Sequence, residues 1–196
     1  MHAHHFIGDG VAMIALNTIS GLIGMLTYFY TDKVGIAAAA AGTIMLLAKV
    51  VDAFTDLIMG HIVDHTKSKH GRARPWILWM IIPTFISIVA LFLIPASAPP
   101  LIKFALALGT NILATAIVYT AIAIPYGCLL SLGTASVEER SSMGIFRSIF
   151  GFIAGMIIAI CLIPITNLLG GDQKAWIIVA IIFGLISAIA LFFTFK

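Results

Sequence analysis

The chain has 196 residues, 61% of them hydrophobic and 10% charged, with a mean hydropathy of +1.13. A soluble domain of this length cannot hide so much apolar surface, so the composition points to lipid as the solvent. The net charge is +3, and no basic tract stands outside a single loop, which excludes a nucleic-acid footprint and leaves the bilayer as the expected partner.

About 20 apolar residues are needed to cross ~30 Å of hydrocarbon. Six stretches of the sequence meet that length, and together they predict an all-α membrane protein: six transmembrane helices in one bundle, with residues 1–196 as one domain. The first covers 6–30, carries Asn17 and closes on Tyr28-Phe29-Tyr30, read as an aromatic belt at the interface. The histidines at positions 2, 4 and 5 ahead of it read as a solvated tail. No Lys or Arg precedes this run, which is also too long for a signal-peptide core, so no cleavable signal is expected. The second covers 36–63 and opens on Ala37 to Ala41, small residues expected at a close helix–helix contact. The third covers 76–94. The fourth covers 101–132, with Pro125 as an expected kink, and the fifth and sixth cover 143–169 and 176–195. Cys128 and Cys161 fall in apolar stretches without a CxxC spacing and read as inert.

Loop charges set the orientation. Lys67, Lys69, Arg72, Arg74 and Arg140 follow the second and fourth helices, whereas the other loops hold Lys33, Lys103 and Lys174. The positive-inside rule places the first set in the cytoplasm, and both termini with it, in the cell membrane.

The second helix carries charge at membrane depth, which is expensive and marks an ion or substrate path. Asp52 and Asp56 lie about 40° apart on the helical wheel, and Lys49 shares the same wedge of about 60°. The formal sum of the three is −1. Two carboxylates this close repel if both are ionised, so one takes a proton or they share a cation. With the Thr55 hydroxyl on the flank, such a stripe suits Na+, Li+ or H+; the plainer reading is a structural ion network that locks helices together. His61 and His65 stand at i, i+4 with Asp64 between them; a metal pair is possible, but their place among Lys and Arg reads as a solvated basic loop. Asp64, Lys69, Arg72 and Arg74, together with Arg140, form either a topology anchor or a gate whose ion pairs break and remake. No helix carries a nucleophile–base pair or a metal triad, so no enzyme is expected.

The run Asp52-Ala-Phe-Thr-Asp56, followed by Gly60-x-x-x-Asp64-x-Thr66-Lys67-x-Lys69-x-Gly71-Arg72-x-Arg74-Pro75-Trp76, closely resembles the signature of the glycoside–pentoside–hexuronide:cation symporters, the branch of the major facilitator superfamily that includes melibiose permease. Tyr28-Phe-Tyr-Thr-Asp32, Ile124-Pro125-Tyr126-Gly-x-Leu129, and Glu139-Arg140 with Arg147 agree in order and spacing. The resemblance implies a twelve-helix, two-bundle protein that moves a sugar with Na+, Li+ or H+ by alternating access and needs no other cofactor. The chain is then expected to be the N-terminal half, inactive without a C-terminal six-helix bundle; a split transporter or a homodimer of halves is the less favoured arrangement. The resemblance makes Asp52 and Asp56 the cation carboxylates, puts Thr55 where an amide side chain stands in melibiose permease, makes Thr120 a hydroxyl ligand, and casts Lys49 as the charge partner. It places Arg147 and Tyr119 at the sugar, with Asn17 and Tyr126 as further contacts. Departures are as informative. The carboxylates that hold galactosides fall on Leu16 and Ala123, a tryptophan becomes Gly127, and Leu57 replaces a proline, so a substrate other than a galactoside is expected. The alternatives are a stand-alone six-helix membrane protein of structural or regulatory role and a transporter of a non-sugar solute.

Overall fold

A computed structural model describes residues 3–69, 71–133 and 136–195; His2 of the N-terminal histidine cluster lies outside the described residues. The described residues are helical and make six passes. The first is α1 (Ala3–Gly24), α2 (Leu26–Tyr28) and a π-helical turn, Phe29–Lys33. The second is α3 (Ala38–His65) and the third is α4 (Arg74–Trp79) with α5 (Ile81–Ala90). The fourth joins α6 (Pro100–Ile112) through a π-helical stretch, Leu113–Tyr119, to α7 (Thr120–Gly133). The fifth is α8 (Val137–Leu168) and the sixth α9 (Gln173–Phe195). Five passes are long and apolar enough to cross a membrane, and the third adds the shorter apolar helix Ile81–Ala90. The all-α six-pass bundle expected from hydropathy is therefore present.

The third pass differs from its expected single run over 76–94. It breaks at Met80 and its last helical residue is Ala90. Pro83 explains the break: it has no N–H for the carbonyl of Trp79, and its ring crowds that carbonyl. Past Ala90 the chain tightens into short turns, with Phe92 N–H donating to the Val89 carbonyl at 3.1 Å and Leu93 N–H to that of Ala90 at 3.3 Å. At Pro125 α7 continues as α-helix, and the irregular stretch lies upstream at Leu113–Tyr119.

Two packing expectations are corrected. Phe29 and Tyr30 are fully buried and only Tyr28 of the three aromatics is exposed, so the trio is mainly core, not an interfacial belt. Phe29 sits edge-on to Phe92 at 4.9 Å, and Phe92 stacks on Trp176 at 5.6 Å, joining the first, third and sixth passes. Such pairs add ~0.5–1.5 kcal/mol each beyond their buried area. In the alanine run, Ala41 is buried but Ala37, Ala38 and Ala39 are exposed, so that tract is not the close contact. Close approach is made by glycines, where α1 packs along α8. A Cβ on Gly21 would stand 2.8 Å from Ile158 Cγ2, and one on Gly10 would stand 2.6 Å from the Phe150 ring.

Helix ends follow local chemistry. Ser136 caps α8, its hydroxyl accepting from Glu139 N–H at 3.5 Å, with Glu138 and Glu139 favourably placed in the first turn. This cap starts the fifth pass six residues before the expected position 143. Asp172 caps α9, accepting from Ala175 N–H at 3.0 Å. α8 ends in a paired glycine cap: Gly171 N–H donates to the Thr166 carbonyl at 2.8 Å and Gly170 N–H to that of Asn167 at 3.1 Å. Both glycines have positive φ, 108° and 67°, which side-chain-bearing residues avoid. Side chains then tie the passes together. Tyr30 Oη donates to the Ala107 carbonyl at 3.2 Å, Lys103 Nζ to that of Val34 at 2.7 Å, and Gln173 Nε2 to those of Phe92 and Ile94.

Candidate cation and substrate site

α3 packs against α6, the π-helical stretch and α7 through one face, which buries Ala41, Ile44, Ala48, Met59 and Val63. Asp52 lies on the edge of that face and Asp56 one turn on. Lys49 Nζ meets Asp52 Oδ2 at 2.9 Å; the Lys49 side chain is 72% exposed and that of Asp52 14%. Asp56 is exposed on this bundle. The pairing neutralises Asp52 and leaves Asp56 without a charge partner on α3.

The third component comes from the facing pass. Thr120 is buried, and its Oγ1 lies 3.1 Å from Asp52 Oδ1 and 2.9 Å from Asp56 Oδ1, so one hydroxyl bridges both carboxylates. The preceding π-helical stretch puts it there. In a π-helix the bond runs to the fifth residue back, and Thr120 N–H accordingly reaches the Thr115 carbonyl. Each residue inserted this way turns later side chains by about 100° relative to a continuous α-helix. The Thr115 hydroxyl in turn donates to the Asn111 carbonyl at 2.8 Å, and buried Asn111 reaches Met45 Sδ on α3 at 3.1 Å, so a polar ladder runs up the pass toward the carboxylates. Tyr119, immediately before Thr120, is half-buried in the same stretch and lies in the field of Lys49, Asp52 and Asp56. Thr55 is placed differently: its hydroxyl donates to the Asp52 and Val51 carbonyls, at 3.0 and 3.2 Å, within its own helix.

The remaining candidates gather on α1, α7 and α8. Arg147 is buried, and its guanidinium carbon lies 3.7 Å from the centroid of the buried Tyr126 ring, a close cation–π contact between α8 and α7. Asn17 donates to the Met13 carbonyl at 2.9 Å and borders a groove of about 540 Å³ between α1 and α8, shared with Ser148, Gly151, Phe152 and Gly155. Leu16, the position matched to a sugar-holding carboxylate, is core; the polar side chain turned to the groove is its neighbour Asn17.

A family model described as MFS/sugar transport protein matches residues 8–196. The chain belongs to this family. It is 33% identical over 174 residues to the isoprimeverose transporter of Lactiplantibacillus pentosus, covering 87% of this chain and 36% of that protein. It is 37% identical over 152 residues to the putative glycoside/cation symporter YagG of Escherichia coli (strain K12), covering 76% and 32% respectively. The uncharacterized symporter YnaJ of Bacillus subtilis (strain 168) matches at 34% over 194 residues, 96% of this chain and 41% of the relative. The chain thus spans about a third to two fifths of the length of these relatives. The resemblance to glycoside symporters drawn from its motifs is borne out, and the chain is a multi-pass membrane protein.

The basic motif of this family member forms a short loop between α3 and α4. Asp64 Oδ1 and Arg72 Nη1 stand 3.9 Å apart, both exposed. Lys69 and Arg74 are exposed, and Arg140 lies in the first turn of α8, not in a loop. The Trp76 indole N–H donates to the Thr66 hydroxyl at 3.1 Å, and that hydroxyl to the Ile62 carbonyl at 2.7 Å, which closes the loop on itself. Sequence reasoning missed the groove residues Gly151 and Gly155. Their signal was available: two glycines four apart in an apolar helix mark a close neighbour.

Proposed function

We propose that this chain supplies the ion-coupling half of a secondary active transporter that takes up a sugar or glycoside with Na+, Li+ or H+. The observation that carries the reading is the Thr120 hydroxyl set between the Asp52 and Asp56 carboxylates, from a different pass. A hydroxyl has one proton, so it donates fully to one carboxylate; the other oxygen faces a lone pair unless a proton or a cation stands between them. Three oxygens and one uncompensated negative charge form a site for one small hard cation or one proton, not for a soft metal. Asn17 and the Tyr126–Arg147 pair serve the sugar: amide and guanidinium as hydrogen-bond donors, the aromatic ring as an apolar wall. Leu16 and Ala123 lack the carboxylates that hold a galactoside, so the substrate is another glycoside. Alternating access then joins ion and sugar sites, with the basic loop on the cytoplasmic side of the cell membrane, both termini on that side, and Asp64, Lys69, Arg72, Arg74 and Arg140 exchanging partners as a gate.

The Lys49 side of the Lys49–Asp52 pair and the Asp56 carboxylate are exposed on this bundle at membrane depth, and Asp56, with no charge partner on α3, is costly there. Further transmembrane helices covering this face, as a second six-helix bundle, complete the transporter; a homodimer of such bundles is the less favoured cover. The test is labelled-glycoside uptake by the complete transporter with and without Na+, Li+ or an imposed pH gradient. Asp56→Asn is expected to abolish cation-stimulated uptake. Wild-type cation dependence in that variant would remove Asp56 from the site.

A further inference from the structure

The cytoplasmic end of α3 carries a second arrangement of ligating groups, remote from the carboxylates on the helical wheel. His61 and His65 are one turn apart and share a face; their ring centroids are 4.1 Å apart and the planes are tilted by 39°. Both side chains are exposed. From Asp52 they lie about 180° and 220° round the helix, so they sit on the opposite face from the cation carboxylates. His65 Nδ1 is 2.9 Å from the His61 carbonyl oxygen. A carbonyl only accepts, so Nδ1 carries the hydrogen and Nε2 keeps its lone pair for another partner. A backbone bond of this kind fixes tautomer and ring orientation in metal-binding histidines.

The geometry points to a two-histidine site for a borderline divalent transition ion, Zn2+, Ni2+ or Cu2+, at the end of α3. With metal–nitrogen bonds of about 2.0–2.1 Å, two imidazole nitrogens on one ion stand roughly 3 Å apart, within reach of two rings whose centroids are 4.1 Å apart on one helix face. Imidazole selects this class of ion over Na+ and Mg2+, which prefer oxygen. Among the described residues no group of three or more His, Cys, Asp and Glu is placed to hold a metal, so water fills the remaining positions. The nearby Lys67, Lys69 and Arg72 oppose the dication, and Asp64, next to His65, offsets them in part. A bound ion clips the last turn of α3, the turn from which the loop to α4 departs.

The test uses the full chain in detergent, with His2, His4, His5 and His70 replaced by Gln so that His61 and His65 are the remaining histidines. Cu2+ added at one equivalent is read by electron paramagnetic resonance. Hyperfine structure from two equatorial imidazole nitrogens is expected, with Zn2+ competing for the site. His61→Gln and His65→Gln, checked for unchanged helicity, should each leave one nitrogen and weaken Cu2+ binding at least tenfold. A spectrum without an imidazole pair in the parent overturns the site whatever the variants do. So does parental binding in both variants.

Discussion

Thr120 has one hydroxyl proton and three oxygens in reach, those of Asp52 and Asp56 and the Thr115 carbonyl at 3.3 Å. Hydrogen bonds to charged groups contribute ~1.5–3 kcal/mol each, or roughly 10- to 100-fold in an equilibrium constant. Thr120→Val keeps the shape and removes the oxygen, so it should raise the half-saturating cation concentration in uptake by about that factor, while Thr120→Ser restores it. Thr55→Val should move it by less than about threefold, because its hydroxyl serves its own helix. Equal effects at the two positions would contradict the placement. The carboxylate stripe was legible from sequence because spacing on one helix is arithmetic. Thr120 was legible only through family resemblance, since nothing local links it to residues 64 and 68 positions away. The demotion of Thr55 was not legible, because the rotamer that returns its hydroxyl to a carbonyl leaves no trace in spacing.

At the scale of elements, the bundle is set by caps, glycines and one proline. Asp172→Ala removes the cap of α9 and should cost about 1 kcal/mol, read as a lower unfolding temperature in detergent. Gly21→Val forces branched bulk against Ile158 and should cost ~1–3 kcal/mol, with Ile158→Ala in the same chain recovering part of the loss. An unchanged unfolding temperature would mean that α1 and α8 do not pack as closely as described. Hydropathy found every pass because apolar length is a one-dimensional property. It missed the break at Met80, although Pro83 was in plain view, because a proline near the middle of an apolar run was not projected four residues back. It misassigned Phe29 and Tyr30 because an aromatic at a helix end looks alike whether it meets headgroups or a neighbouring helix. The early start of α8 was encoded in Ser136-x-x-Glu139, a reciprocal capping pattern outweighed by the polarity of that turn.

At the scale of the whole molecule, a charged face lies open on this bundle. Asp56→Asn in the chain alone should leave the unfolding temperature unchanged or raise it, since an exposed charge is removed while the amide oxygen still accepts from Thr120. In the complete transporter the same change should abolish coupling. A fall of several degrees in the chain alone would mark the carboxylate as part of a structural ion network. Lys49, Asp52 and Asp56 also have an electrical consequence. On the proposed reading the empty site carries one negative charge and the loaded site none. Membrane voltage, worth about 2.3 kcal/mol per charge per 100 mV, then acts on the return of the empty carrier and barely on the loaded crossing. An inside-negative potential holds the empty site facing outward, ready to load. Collapsing the voltage should therefore slow net uptake while leaving exchange of labelled for unlabelled sugar, which skips the empty return, unaffected.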